Sequence, residues 1–279
     1  MNTFKAAMLT ITLALAAALA ADPPNTGPET DKAPTTGEAP TTATAPAADP
    51  AAVKILDRLE KAGEKFPRIA ADVDCHVDMR QVGDSETRTG QVWYQAPAGE
   101  EAGKFRIHFE TLKAGDKGAK SRERVDYAFD GQWLTVRKEK IKQWIRYQVK
   151  PPGEKANPLE LGQGPFPVPF GQKTAAVLEK YSPTTRPPAK DDPKDTEYIK
   201  LTTRPTAKDL NMVWIEMWVR PDGLPVKIVT EDRSENRTTA VFDNIKTPDK
   251  FDASIFDLPR PPPGSGWEVR IETFKGKVE

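Results

Sequence analysis

Two histidines and one cysteine are all that the chain holds of the side chains most suited to metal ligation or nucleophilic chemistry near neutral pH. Asp74, His76 and Asp78 alternate, so a strand there would present all three on one face. Alternate strand residues stand about 7 Å apart, too far to share one ion without ligands from elsewhere. A solvated face is the simpler reading. His108 falls opposite Phe105, Ile107 and Phe109 and is expected to be exposed. Cys75 has no partner within the chain for a disulfide and is expected to act as a small hydrophobe. The sequence offers no convincing Ser-His-Asp or Cys-His arrangement, no glycine-rich phosphate loop and no zinc spacing. We therefore expect no catalysis, no cofactor and no metal.

What remains is apolar contact, concentrated in Asn211 to Ile228. Val213, Ile215, Met217 and Val219 alternate with Met212, Trp214 and Trp218, and Pro221-Asp-Gly223 turns the chain back. A strand that is apolar on both sides must be covered on both sides or must line a space that takes apolar ligand. The elements positioning it are mostly strands. Asp49-Pro50 opens an amphipathic helix carrying Val53, Leu56, Leu59 and Phe66. Strands are predicted over 71–79, 90–94, 105–110, 125–129, 132–136 and 143–149, with Asp130-Gly131 as a hairpin turn. Asn157-Pro158 reads as a second helix start, and 174–181 as a short helix followed by a polar loop to about Asp195. Further strands are predicted over 198–202, 212–219, 226–231 and 238–245, and a last one over 267–274. Phe166-Pro-Val-Pro-Phe170 can be neither helix nor central strand; it is either a loop packed on the core or a flap over a hollow.

Residues 1–20 read as a cleaved secretory signal, with Lys5, an apolar run from Met8 to Leu19 and a small-residue site at Ala18-Leu-Ala20. The run is shorter than the ~20 residues that span a bilayer. Residues 21–48, rich in Pro, Thr and Ala, read as a disordered linker reaching roughly 80 Å in polyproline form. Residues 49–279 form one domain. Lys plus Arg and Asp plus Glu number 41 each, which argues against a nucleic-acid partner. A periplasmic location and a monomer are expected.

In their joint order, several motifs carry a resemblance: Gly90-Gln-Val-Trp-Tyr-Gln-Ala-Pro97, Lys104-Phe-Arg-Ile107, Phe129-Asp-Gly-Gln-Trp-Leu134, Ile215-Glu-Met-Trp-Val219, Gly223-Leu-Pro-Val226 and Phe242-Asp-Asn-Ile245. The chain resembles the periplasmic outer-membrane lipoprotein carrier family, LolA-like, over about 51–263. The resemblance implies an α+β fold, a strongly curved antiparallel sheet (an incomplete β-barrel) covered by an N-terminal helix and middle helices. It also implies a carrier, or chaperone, that holds acyl chains of a lipoprotein or other lipid in an apolar cavity and moves them between membranes. An inner-membrane donor and an outer-membrane acceptor protein would be its partners. A lipid-sensing or protein-interaction module of the same fold is the alternative. On this reading Phe105, Ile107, Phe109, Leu134 and Val136 line the cavity, with Val213, Ile215 and Met217 from the hairpin and Leu56 and Leu59 from the first helix. Phe166 and Phe170 belong to the lid. The family's latch arginine has Ala96 in its place here, so the latch is absent or supplied elsewhere, with Arg106 the candidate.

Overall fold

In the computed structural model, residues 49–99, 101–149, 171–208 and 210–274 are described. The signal and linker segments, the helix start at Asn157-Pro158, and the Phe166 and Phe170 lid lie outside them. Helix α1 (Pro50–Lys65) begins as its sequence demands. The Asp49 side chain accepts from Ala51 N at 2.9 Å, Pro50 fills the first position, and the helix stops before Pro67. Its buried stripe is Ala52, Ile55, Leu56, Leu59 and Ala62, the spacing of one helical face.

Two meanders follow. The first comprises β1 (Arg68–Met79), β2 (Asp84–Gln95), β3 (Lys104–Ala114), β4 (Lys120–Phe129), β5 (Trp133–Lys138) and β6 (Gln143–Gln148). After the short helix α2 (Thr174–Lys180) comes the second: β7 (Tyr181–Arg186), β8 (Glu197–Thr203), β9 (Met212–Val219), β10 (Pro225–Asp232) and β11 (Asn236–Lys246). A 3₁₀ turn (Ala253–Phe256) and β12 (Glu268–Glu272) complete the described elements. Pairing of β1 with β11 joins the meanders into one curved, unclosed sheet in the order β12-β6-β5-β4-β3-β2-β1-β11-β10-β9-β8-β7. The sheet is mixed, because β12 adds to β6 in parallel.

Bulges help bend the sheet. Glu110 is an extra residue in β3, opposite the step from Thr89 to Gly90. A side chain at position 90 would collide with the His108 carbonyl oxygen, 1.8 Å from an ideal Cβ, so only glycine permits this approach. A second irregularity lies where Ala70 pairs with Lys246 and Asp72 with Asp243; there Asn244 takes φ 50°, a conformation asparagine tolerates. Two weak sequence motifs thus mark bends.

One expectation fails outright. Residues 181–186, read as loop, form edge strand β7, where Pro183 is tolerated because an edge strand need not donate on its outer side.

Candidate ligand-binding site

Register places Phe105, Ile107 and Phe109 of β3 on the same face as Phe129, Tyr127 and Val125 of β4, and these on the face of Leu134 and Val136 of β5. All are buried in one apolar cluster that also takes in Ile69, Val73 and Cys75 of β1. A second cluster joins Ile215 and Met217 of β9 to Ile199 and Leu201 of β8 and to Leu56 and Leu59 of α1. Phe242 packs against both clusters, so the apolar surface is continuous along the inner face of the sheet.

Four expectations about this face need restating. Val213 does not line it. Its side of β9 turns outward and the residue is 40% exposed, because an irregularity between Glu231 and Asp232 gives β9 one residue more than β10. The bulge carries Met212 inward in its place. Arg106 also points away from the apolar cluster, on the outer face of β3, where it binds Asp126 (Nη2–Oδ1 2.6 Å) and donates from Nη1 to the Ile255 carbonyl at 3.0 Å. Its work is to hold the C-terminal segment to the sheet. His108 is not exposed. It lies between Asp126 (2.9 Å) and Glu110 (3.1 Å), which raise its pKa above 6.5 against the opposing effect of burial. Trp214 and Trp218, expected to need a cover or a ligand, are instead capped by cations: Lys200 lies 4.6 Å from the Trp214 ring centre and Lys227 4.5 Å from that of Trp218. His76 accepts a local role too, within 2.9 Å of Thr87 Oγ1.

Helix α1 is the cover on the second cluster. It is tied to its surroundings by few polar contacts: Arg58 pairs with Glu197, Glu60 accepts from Thr174 N of α2 at 2.8 Å, and Asp49 accepts from Thr185 N of β7 at 3.1 Å. The β9–β10 turn packs on the helix so closely that a Cβ at Gly223 (φ 86°) would stand 2.5 Å from the Arg58 carbonyl oxygen. Among the described residues, about 10 Å³ is left between α1, α2 and the sheet, beside Leu56, Leu59, Val177, Leu201 and Met217. Among these residues no open hollow lies there, because α1 packs directly on the second cluster.

Space does remain at the other end of β1, far from α1. A cavity of about 140 Å³ lies under the β1–β2, β3–β4 and β5–β6 turns. Its floor includes Met79, Leu112, Val125 and Tyr127; its walls carry Glu86, Arg88, Glu123 and Lys138. Sequence reasoning missed these four because it started β2 at Gly90, β4 at Val125 and ended β5 at Val136. Continuing the two-residue period outward from Val92, Val125 and Val136 reaches all of them. A wider cleft of about 510 Å³ lies at the β1–β11 irregularity, but its polar groups already satisfy one another: Gln91 and Asn244 both donate to Asp72, at 3.2 and 2.7 Å.

Residues 171–259 match the family model described as outer membrane lipoprotein carrier protein LolA. No curated protein matches the sequence. Among solved structures, an uncharacterized conserved protein from Thermus thermophilus is similar at 12% identity and TM-score 0.42, covering 79% of this chain and 99% of that one. The lipoprotein LppX of Mycobacterium tuberculosis is similar at 10% identity and TM-score 0.38, covering 74% and 100%. A LolA superfamily protein from Nitrosomonas europaea gives 16% identity and TM-score 0.31, covering 74% and 97%. The family match thus falls on α2, the second meander and the 3₁₀ turn.

Proposed function

We propose that the protein is a periplasmic carrier that takes acyl chains of a lipoprotein or other lipid between its apolar inner face and α1, and moves them between membranes. The observation that supports this is the continuous apolar inner face, with the amphipathic helix α1 packed on its second cluster. The LolA-type match over the second meander supports it. A binder rather than a catalyst fits a face made of Phe, Leu, Ile, Val and Met. The signal-like residues 1–20 would deliver the chain to the periplasm, and a donor and an acceptor protein would load and empty it.

The contact of α1 with the second cluster sets the energetics. Lifting α1 exposes Ile55, Leu56, Leu59 and two alanines, roughly 6–8 kcal/mol of apolar burial. An acyl chain of about 16 carbons regains roughly 12 kcal/mol at about 0.8 kcal/mol per methylene. One chain therefore suffices to displace the helix, and the difference leaves the complex within reach of a partner that rebinds the lipid or the lid. Purification from a membrane-containing host followed by solvent extraction and mass spectrometry is expected to yield stoichiometric acyl lipid. A lipid-free protein that also fails to take up a fluorescent fatty acid would overturn the proposal.

A further inference from the structure

The two edges of the sheet are finished differently. On the outer edge of β7, Tyr181 donates its N–H to the Val177 carbonyl of α2, and its own carbonyl accepts from Arg204 Nε at 3.0 Å. Pro183 has no N–H to offer, and the Thr185 N–H is taken by Asp49 at 3.1 Å. No donor on that edge is left for another strand. At the opposite edge, Glu268 donates to the Lys142 carbonyl at 2.8 Å, so the even-numbered residues of β12 turn their backbone groups toward β6. Val269, Ile271 and Thr273 turn theirs outward, and among the described residues no strand lies beyond them. Ile271, in the middle of this outward row, is 51% exposed.

The side chains of β12 restrict what can pair with that row. Arg270 lies beside Ile145 and Glu272 beside Tyr147, so Glu268, Arg270 and Glu272 share the inner side of the sheet. Arg270 pairs within its own strand, with Glu272 at 2.6 Å and Glu268 at 3.8 Å. All three side chains are about half exposed, where such pairs are weak and readily exchanged. An antiparallel copy of β12 can bond only in registers that set odd-numbered residues against odd-numbered ones. Centred on Arg270, the register opposes Arg270 to itself and Glu268 to Glu272, like charge on like. Centred on Val269, it runs into Gly266, whose φ of 76° belongs to a turn. Centred on Ile271, it sets Arg270 opposite Glu272 of the copy, and Glu272 opposite Arg270, and lays Ile271 against itself.

We propose that β12 is a self-pairing edge, through which two copies of this chain join antiparallel in the register centred on Ile271. About six backbone hydrogen bonds form between residues 269–273 of the two strands. The two-fold axis of such a pair stands across the sheet, so the apolar inner faces of both copies open to the same side. Strands this short bury far less than the roughly 800 Å² per partner of a standard interface. The dimer is therefore a state of concentrated protein, and dilute protein is the monomer expected from the sequence. Lipid binding is not required for it.

Sedimentation equilibrium over a concentration series is expected to show a monomer–dimer equilibrium. Arg270→Glu sets Glu against Glu at two places in the register and should raise the dissociation constant about tenfold; Arg270→Glu/Glu272→Arg should restore it. The amide at position 270 faces β6, so its unchanged hydrogen exchange shows that β12 is still in place. A short bis-maleimide reads the register directly. Ile271→Cys should link to its copy, whereas Val269→Cys, about 14 Å from its own copy, should not. Cys75 is buried and does not compete. If Arg270→Glu loosens β12, the two cysteine variants carry the test alone. A protein that stays monomeric throughout the series, or a dimer indifferent to the charge exchange while β12 stays in place, would overturn the proposal. Equal linking of the two cysteine variants would do the same.

Discussion

Asp126 is the residue on which the outer face of β3 and β4 turns. It is 5% exposed and accepts from Arg106 Nε (3.0 Å) and Nη2 (2.6 Å), with the His108 ring nitrogen at 2.9 Å. Arg106 in turn holds the Ile255 carbonyl, so Asp126 fixes the C-terminal segment through its neighbour. Replacing it by alanine leaves a guanidinium partly buried with no carboxylate. Asp126→Ala is expected to lower stability by about 3 kcal/mol, read as a shift of the urea midpoint at constant slope, and to speed amide exchange around Ile255. The network also sets a pH window. Hydrogen bonding to Asp126 raises the His108 pKa above its usual 6.5, so its contribution is complete below 6.5 and disappears as pH rises through the raised value. Burial opposes ionisation of Asp126, yet His108 and Arg106 hold its pKa below 3.8; its contribution is present above 3.8 and disappears as pH falls through the lowered value. Stability from this cluster is therefore greatest between about 4 and 6.5. In a series of urea melts, His108→Gln should flatten the alkaline decline and leave the acid limb in place. An unchanged alkaline limb would show that His108 does not carry it.

At the scale of elements, the sharpest constraint is the contact of the β9–β10 turn with α1. Gly223 combines a left-handed φ of 86° with a neighbour, the Arg58 carbonyl, that leaves no room for a Cβ. Gly223→Ala strains the backbone and pushes the turn off the helix at once. A loss of about 2–4 kcal/mol is expected, and it should appear as faster exchange throughout α1 rather than only at the turn. The start of α1 has a matching point of attachment. Asp49 caps the helix through Ala51 N and joins it to β7 through Thr185 N, so Asp49→Asn, which keeps an acceptor oxygen, should be milder than Asp49→Ala, at about 1–2 kcal/mol by thermal melting. Both the cap and the Pro-Asp-Gly turn were legible in the sequence, because a single local group dictates each. So were most strands, whose alternation survives in Val73 and Cys75 or Phe105 and Ile107. What could not be read was set by pairing at a distance. Pro183 argues against a strand until β8 supplies an edge, and Val213 counts as inward until the bulge against β10 reverses it.

For the whole molecule, which apolar residues turn inward was largely legible and what covers them was not. Phe105, Ile107, Phe109, Leu134 and Val136 are buried in one cluster and Ile215, Met217, Leu56 and Leu59 in a second, because burial follows strand and helix periodicity. Periodicity carries no information on whether a helix rests on that face or a ligand does, and here α1 rests on the second cluster. If the protein carries lipid, α1 must therefore move away from β8 for loading, and restraining it must block uptake. The ion pair of Arg58 with Glu197 spans this joint at the surface, where such pairs add little to stability, so its residues can be replaced without unfolding the domain. The native thiol will not compete: Cys75 is buried and its pKa is pushed up to about 12, chiefly by burial. In Arg58→Cys/Glu197→Cys, a short cleavable bis-maleimide linker should abolish uptake of a fluorescent fatty acid, and cleavage of the linker should restore it. Each single cysteine variant carrying the same reagent should load normally. Undiminished uptake by the linked protein would show that acyl chains enter by a route that leaves α1 in place.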